Sequence, residues 1–197
     1  MITRALTILC AVVCALVSAV GCATTTNTEI AGAPLVVRGA SLEVLEDGAL
    51  RLSGGPGYAY VDRSFRDVAV RVEVTATGNS GVFVRGAHPF IGFFPSGPEA
   101  QIEAGGDPWA SGAVYGKAPS AVVVKDGQPF HMCVAVKGRR VLVVIDDAKA
   151  SEAMVDEGEG FVALQAHDPW SEATFRRLRI RRLTEAERIE DACATAW

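Results

Sequence analysis

One stretch of the sequence carries polar side chains at the two-residue spacing of a β-strand. Glu99, Gln101 and Glu103 alternate with the apolar Ala100 and Ile102, and successive side chains of a strand point to opposite faces. The pattern predicts a half-buried strand whose polar face is free to bind a ligand. Carboxyl groups can act as general acids or bases, and an amide both donates and accepts hydrogen bonds. Glu103 and Glu99 are therefore candidate catalytic residues, and Gln101 is a candidate substrate-binding residue.

Two carboxylates could in principle act as the acid pair of a glycosidase. Four residues of extended strand separate the Cα atoms of Glu99 and Glu103 by about 13 Å. Retaining and inverting enzymes hold their carboxyl groups about 5 Å and about 6.5 to 9.5 Å apart. The spacing disfavours this mechanism, although side chains that lean together or a bulge could close part of the gap. Chemistry with a single base demands less of the geometry.

Arg85 lies on a second predicted strand, Gly78–Gly86, on the same face as Phe83. Its guanidinium is always charged and presents a planar fork of donors, so it can hold a substrate oxygen. It can equally form a structural ion pair with Glu99 or Glu103 on a neighbouring strand. Arg85 is therefore a candidate substrate-binding residue with a structural alternative.

Gln165 and His167 share one face of a predicted strand near the C-terminus. His167 is a candidate general base or metal ligand because imidazole exchanges protons near neutral pH, and the alternative is a polar residue at a strand end. Gln165 is a candidate substrate-binding amide or a hydrogen-bonded amide of the sheet face. Tyr115 offers a ring for stacking on a ligand, or is a half-buried sheet tyrosine.

Metal ligands are not grouped in the sequence. No run of His, Cys, Asp and Glu has the spacing of a metal site, and His88 and His131 have weaker claims to chemistry than His167. We predict no cofactor, and a divalent metal would bind only if distant segments converged.

The candidate residues lie on segments with the pattern of short β-strands, because apolar and polar residues alternate between Gly and Pro turn signals. Only Thr184–Ala194 is predicted to be helical, since Thr184 and Glu187 match a capping box. About a dozen strands with short connections predict an all-β, antiparallel jelly-roll sandwich with a short C-terminal helix. The predicted strands are Ser41–Leu45, Ala49–Leu52, Tyr58–Asp62, Val68–Thr75, Gly78–Gly86, Gly97–Glu103, Ser111–Gly116, Ala121–Lys125, Phe130–Val136, Arg139–Asp146, Phe161–His167 and Ala173–Leu183.

Length and charge narrow the class of protein. The chain has 197 residues, of which 49% are hydrophobic, and this length suits one well-packed domain rather than two. The formal net charge is -4 and the 19 Lys and Arg residues are scattered. Without a cluster of basic residues the sequence predicts no positively charged surface that would attract phosphate groups. Nucleic acid is therefore not predicted as a partner.

The N-terminus has the pattern of an export signal. Arg4 precedes the apolar run Ala5–Gly21, which is shorter than the about 20 residues of a membrane-spanning helix. Ala19–Cys22 is similar to the lipobox at which bacterial lipoproteins are cut and lipidated. An uncleaved anchor helix and cleavage by the ordinary signal peptidase are the alternatives, and all three export the domain.

The predicted organisation follows from this pattern. Residues 1–22 are a lipoprotein signal peptide with lipidation at Cys22, residues 23–34 are a flexible tether, and residues 35–197 are the jelly-roll domain. The tether has almost no bulky apolar side chains, so it cannot bury enough surface to fold. We expect a lipoprotein of the bacterial cell envelope that meets the membrane only through its lipid anchor.

Cys22 would carry the lipid, so only two cysteines, Cys133 and Cys193, remain for pairing in the predicted mature chain. They could pair in an oxidising compartment, or Cys133 could be a buried free thiol in its strand.

Five segments appear in the order and approximate spacing of a known family. The sequence resembles the 3-keto-disaccharide hydrolase domain family over about residues 35–183. The resemblance implies the concanavalin A-like lectin/glucanase form of the jelly roll. The segments are 78–85, 99–103, 112–116, 162–167 and 174–180.

The resemblance also implies an activity on glycosides whose C3 hydroxyl has been oxidised to a ketone, with carbohydrate as the partner. A C3 carbonyl acidifies the C2 proton, so one base can remove it while the C1 substituent is expelled, and water can then add to the enone. Such a site needs a general base and a group that stabilises the enolate oxygen. Glu103 is the base that this interpretation favours.

The sequence departs from the family pattern at three places. Ala104 stands where the family has Asp, Phe130 and His131 stand where it has Trp-Asn, and its Asn-Gly turn is replaced around Asp146 and Asp147. The changes at Ala104 and at Phe130 and His131 favour the main alternative, a non-catalytic carbohydrate-binding module on the same fold. A cell-envelope scaffold without a ligand is a third interpretation.

Aromatic residues stand in irregular segments around these strands. The Gly86–Pro98 loop carries Phe93 and Phe94, and Trp109 and Trp170 lie in other loops. They could form the walls of a sugar cleft, and the loop could instead be a flap over its own sheet edge.

Overall fold

The computed structural model describes residues 35–89 and 92–194. The predicted signal peptide, the tether and Cys22 lie outside these residues. The described part contains the strands β1 (Leu35–Arg38), β2 (Ser41–Val44), β3 (Leu50–Ser53), β4 (Gly57–Val61), β5 (Val68–Thr77), β6 (Ser80–Gly86), β7 (Glu99–Ile102), β8 (Phe130–Lys137), β9 (Arg140–Ile145), β10 (Ala148–Met154), β11 (Phe161–Ala166) and β12 (Glu172–Arg182), and the helix α1 (Ile189–Ala194).

The strands form two antiparallel sheets that pack face to face. The five-stranded sheet has the order β1-β4-β11-β6-β7, and the seven-stranded sheet has the order β10-β9-β8-β5-β12-β3-β2. Some neighbours, such as β11 with β6 and β12 with β5, are far apart in sequence, as in a jelly roll. The predicted all-β jelly-roll sandwich with a short C-terminal helix is confirmed.

The core lies between the sheets and is built by the period-two pattern. On β5 the valines at positions 68, 70, 72 and 74 are completely buried. They face side chains of the other sheet that include Val82 and Val84 on β6 and Ala100 and Ile102 on β7. The inward direction of these apolar residues sends the alternate residues of β6, β7 and β11 to the outer face of the five-stranded sheet.

Two predicted strands are wrong. Ser111–Gly116 and Ala121–Lys125 are irregular, although the first segment lies along the edge of β7. There Gly112 N–H donates to Gln101 O, and Gln101 N–H donates to Ala113 O. Gly112 has a φ of +90°, a conformation that breaks an extended strand.

Two observed strands, β1 and β10, were not predicted. The β10 sequence is rich in Ala, Lys, Ser and Glu, residues of low or moderate β-propensity. It forms because it pairs with the apolar strand β9.

The C-terminal helix begins at Ile189 rather than at Thr184. The predicted helical start at Thr184 is wrong. The Glu187 carboxylate binds the Arg181 guanidinium as well as the Thr184 backbone, but the residues after Thr184 form a turn and not the first turn of the helix. The Lys137 ammonium group donates to three carbonyl groups of the preceding turn, at Thr184, Glu185 and Glu187.

A disulfide joins Cys133 on β8 to Cys193 on α1, with their Cα atoms 5.6 Å apart. The alternative of a buried free thiol at Cys133 is wrong. The bridge holds α1 on the outer face of the seven-stranded sheet, over Ala69, Ala135 and Leu142. Among the described residues, no helix has the length and apolar character needed to cross a bilayer.

Candidate functional site

The candidate site is built on three neighbouring strands, β11, β6 and β7, on the outer face of the five-stranded sheet. The strand register places Gln165, Gly81 and Gln101 side by side in one row. The same register places Ala163, Phe83 and Glu99 in the next row. Residues from distant parts of the sequence therefore meet because β11 pairs with β6.

A third row lies at the other end of these strands. Asn79 precedes β6, and its carbonyl oxygen accepts a hydrogen bond from His167 N–H at 3.1 Å. Its side-chain Nδ2 donates to Glu103 Oε2 at 3.1 Å. His167, Asn79 and Glu103 thus cross the sheet together, and the sequence-predicted Glu99, Gln101, Gln165 and His167 converge on one surface.

This surface is an open cleft with a volume of about 270 Å³. The loop after β6 forms one wall, and Tyr115 lies at the rim with more than half of its surface exposed. The lining residues are Asn79, Phe83, Phe94, Pro95, Ser96, Gly97, Glu99, Gln101, Tyr115, Gln165 and His167.

Glu99 lies over the backbone of Gly81, in the middle of the cleft. A Cβ atom at Gly81 would lie only 2.4 Å from Glu99 Oε1, so glycine makes room for this carboxyl group. Burial raises the pKa of Glu99 from its ordinary value of 4.5 to about 8, because a charged carboxylate is poorly solvated there. Glu99 is therefore a neutral acid at pH 7 and can donate a proton.

Three side-chain amides of the cleft have a carbonyl oxygen that is buried and makes no hydrogen bond within the described structure. They are Gln101 Oε1, Gln165 Oε1 and Asn79 Oδ1. Gln101 and Gln165 are 3% and 2% exposed. A buried acceptor without a donor costs about 1–3 kcal/mol. These oxygens are therefore suited to accept hydrogen bonds from the hydroxyl groups of a ligand.

His167 is held in one orientation by two neighbours. Its Nδ1 lies 3.1 Å from Asp168 Oδ1, and its ring stacks on Phe94 with centroids 4.7 Å apart. Because a carboxylate only accepts hydrogen bonds, Nδ1 of the neutral ring carries the proton and Nε2 keeps its lone pair. This is the arrangement that a general base requires.

Glu103 lies beside the cleft and is exposed, outside the set of lining residues. Its Oε2 accepts from Asn79 Nδ2 and, at 3.5 Å, from Gln101 Nε2. These bonds fix the two amides, and Ser111 binds the Glu103 backbone N–H at 2.9 Å. The position suits a residue that orients the amides.

Arg85 does not belong to the cleft, which corrects its predicted placement beside Phe83. The pairing of β6 with β11 shifts register at this point, and Arg85 has a φ of +52°. One extra residue in β6 forms a bulge that interrupts the alternation. The Arg85 guanidinium instead pairs with Asp67 at 3.1 Å and donates to the carbonyl oxygens of Arg66 and Asp156, so neither Glu99 nor Glu103 is its partner.

The sequence did not indicate that Asn79 and Asp168 belong to this site, and it indicated Phe94 only as a loop residue that could form a wall of the cleft. Asn79 precedes Gly81 by two residues and so extends the same strand face, a signal that could have placed it. Nothing in the sequence indicates that Phe94 stacks on His167, because the contact depends on how the long loop folds back.

The described residues contain no group of three or more His, Cys, Asp and Glu side chains that could hold a metal ion.

Comparison with known proteins gives a family match and a set of similar folds. A family model described as a 3-keto-alpha-glucoside-1,2-lyase-like domain matches residues 21–181. A search of curated proteins found no match.

Three solved structures illustrate the fold. A glycosyl hydrolase candidate from Parabacteroides distasonis superimposes with a TM-score of 0.61 at 20% identity, over 72% of this chain and 90% of that chain. The carbohydrate-binding module CBM66 from Bacillus subtilis gives 0.56 at 16% identity, over 75% and 94%. The β-glucanase of Bacillus licheniformis gives 0.54 at 10% identity, over 82% and 100%. At these identities the likeness is one of fold.

Proposed function

This chain belongs to the family of 3-keto-alpha-glucoside-1,2-lyase-like domains, and we propose that its cleft binds a 3-keto-glycoside and cleaves the bond between C1 and the glycosidic oxygen. The observation that carries the proposal is that one cleft is lined both by a neutral Glu99 and by His167, which Asp168 orients. A proton donor and a proton acceptor then stand on the same sheet face.

The reaction is an elimination followed by addition of water. A base removes the proton on C2, which the neighbouring C3 carbonyl has acidified, and the electron pair forms a C1–C2 double bond. The C1–O bond breaks and the leaving oxygen takes a proton from an acid. Water then adds to C1 and a proton returns to C2, which gives the free 3-keto-sugar.

We assign the base to His167 and the acid to Glu99. The environments of the two groups differ: Asp168 orients the His167 imidazole as an acceptor, whereas burial keeps Glu99 protonated. Groups separated in this way can take and give protons at the same pH. His167 lies beside Asn79, which is two residues, or about 7 Å, along the strand from Gly81. The Glu99 carboxyl group lies over Gly81.

The amides bind the substrate in this proposal. The unpaired carbonyl oxygens of Gln101, Gln165 and Asn79 accept hydrogen bonds from sugar hydroxyls, and Tyr115 at the rim presents a ring to the sugar face. Glu103 positions two of these amides. Carbohydrate is thus the ligand class that this set of hydrogen-bond acceptors suits.

A turnover assay tests the proposal. The purified chain is mixed with a 3-keto-glucoside and, separately, with the unoxidised glucoside, and release of the leaving group is followed. We expect release from the oxidised glycoside alone, a slower reaction when C2 carries deuterium, and loss of about 10²–10⁴-fold in kcat for His167→Ala.

The same assay decides between the enzyme and the carbohydrate-binding module. Binding of both glycosides without release from either would support the module and contradict the enzyme. Full activity of His167→Ala would contradict the assignment of the base.

We also propose that the protein is an exported lipoprotein anchored through Cys22. The lipobox-like Ala19–Cys22 supports this, and so does the Cys133–Cys193 disulfide, because disulfides persist in oxidising compartments. Labelled fatty acid should enter the wild-type chain in bacterial cells and not the Cys22→Ser variant. Equal labelling of both would contradict the anchor.

A further inference from the structure

A second cavity lies on the same sheet face, next to the cleft. It has a volume of about 410 Å³, and Tyr58 in its wall pairs with Gln165 of the cleft across β4 and β11. The two cavities are therefore about one strand spacing, ~4.8 Å, apart at this point. The residues that carry the argument are Arg38, Tyr58, His88 and Phe93.

The loop after β6 separates the two cavities. Ala87 and Ser96 exchange two backbone hydrogen bonds of 2.9 and 3.0 Å, which close the loop at its base. Phe93 lines the second cavity, while the next residue, Phe94, lines the cleft and stacks on His167. One loop thus presents an aromatic ring to each side.

His88 is a fixed hydrogen-bonding group that the proposed reaction does not use. Its Nδ1 lies 2.9 Å from the Tyr58 hydroxyl, and its ring packs against Tyr60 and Phe161 with centroids 4.8 and 4.7 Å apart. Burial raises the pKa of Tyr58, so the phenol stays protonated and can either donate to Nδ1 or accept from it. In both tautomers the second ring nitrogen of His88 remains able to form a hydrogen bond with a hydroxyl group, which both donates and accepts.

The cavity combines hydrogen-bonding groups with an apolar face. Arg38 is exposed and its guanidinium lies 6.0 Å from the Tyr60 ring centroid, and Phe93 is 66% exposed. Hydrogen-bonding groups beside an exposed aromatic ring form a surface that suits a second sugar ring.

We propose that this second cavity is the subsite for the leaving group, and that it holds the sugar on the other side of the scissile bond of a 3-keto-disaccharide. The inference rests on the proposed function of the cleft. His88 and Arg38 bind the hydroxyl groups of the leaving sugar, Phe93 packs against its face, and Tyr58 positions His88.

The test compares two substrates in the full chain: a 3-keto-disaccharide and methyl 3-keto-glucoside, whose leaving group is too small to reach the second cavity. We expect His88→Ala to raise KM for the disaccharide about tenfold, the equivalent of about 1.4 kcal/mol, and to leave the methyl glycoside within about twofold. Phe93→Ala should do the same, whereas His131→Ala on the other sheet should change neither. Equal effects on both substrates, or none, would overturn the subsite.

A calorimetric titration separates failure of the subsite from failure of the proposed function. If wild-type protein cleaves neither substrate, the proposed function fails, and binding of the unoxidised disaccharide is compared between wild type and His88→Ala. A roughly tenfold loss of affinity for the disaccharide alone supports the subsite. Equal affinity, or no binding by the wild type, overturns it.

Discussion

At the scale of single residues, the surroundings of Glu99 and His167 suit the first to donate a proton and the second to accept one. Glu99 is held over Gly81, where burial raises its pKa to about 8, and His167 is oriented by Asp168. Both candidates were visible in the sequence, but the features that distinguish an acid from a base are the buried position and the carboxylate partner. The chemical roles therefore depend on the fold more than on residue type.

The raised pKa of Glu99 predicts a pH dependence of activity. The acid form predominates below about pH 8, so kcat/KM should fall as the pH rises through this value and the donor is lost. Glu99→Gln should lower kcat/KM by about 10²–10⁴-fold and remove this alkaline decline from the residual rate. Glu103→Gln is the matched control and should keep the decline. An unchanged profile in Glu99→Gln would contradict the role of the acid.

Gly81→Ala should impair activity more than stability. The new Cβ would meet Glu99 Oε1 at 2.4 Å, and because this oxygen is the end of a flexible side chain, the carboxyl group can move away. We expect kcat/KM to fall at least about tenfold, while unfolding in denaturant changes by less than about 1 kcal/mol. Gly158→Ala, where the added Cβ meets nothing within 4 Å, should alter neither quantity. A large loss of stability in Gly81→Ala would show that the carboxyl group cannot move.

At the scale of elements, the period-two pattern predicted the strands that bury one face, such as β5, and it predicted which face of β7 is polar. It failed where the backbone leaves the regular strand. The bulge at Arg85 redirects that side chain to Asp67, and Gly112 turns a predicted strand into an edge loop. The meeting of β11 with β6 joins residues about 85 positions apart, and local patterns carry no information about such pairing. The candidate residues were therefore predictable as types, and their arrangement was not.

The Arg85 bulge is stabilised by an ion pair that can be tested. The Arg85 side chain is only 4% exposed, and Asp67 also accepts from Gly138 N–H at 2.9 Å. Asp67→Asn leaves the guanidinium without its counter-charge, which should cost about 1–3 kcal/mol of unfolding free energy in urea. Glu43→Gln in the exposed pair with Arg51 should cost less than about 1 kcal/mol. Because Arg85 lies outside the cleft, KM in Asp67→Asn should stay within about twofold; a large rise in KM would return Arg85 to substrate binding.

At the scale of the whole molecule, the proposed binding surface and the disulfide-linked helix α1 lie on opposite outer faces of the sandwich. The cleft and the second cavity lie on the outer face of the five-stranded sheet, whereas α1 and its disulfide cover the outer face of the seven-stranded sheet. The core between the sheets separates the two faces. A change in α1 or in its disulfide should therefore alter the stability of the fold without altering the chemistry of the cleft.

Reduction of the disulfide provides this test. The bridge spans 60 residues of sequence, and closing a loop of this length restricts the unfolded chain by about 4 kcal/mol in the chain-entropy model. We expect Cys133→Ala/Cys193→Ala, or wild type in reductant, to unfold at a lower temperature by calorimetry. The double variant should no longer respond to reductant, which controls for other effects of the reagent. Below the unfolding transition the turnover of a 3-keto-glucoside should be unchanged, because the bridge lies on the face opposite the cleft. Loss of turnover in protein that is still folded would mean that the two faces are coupled through the core.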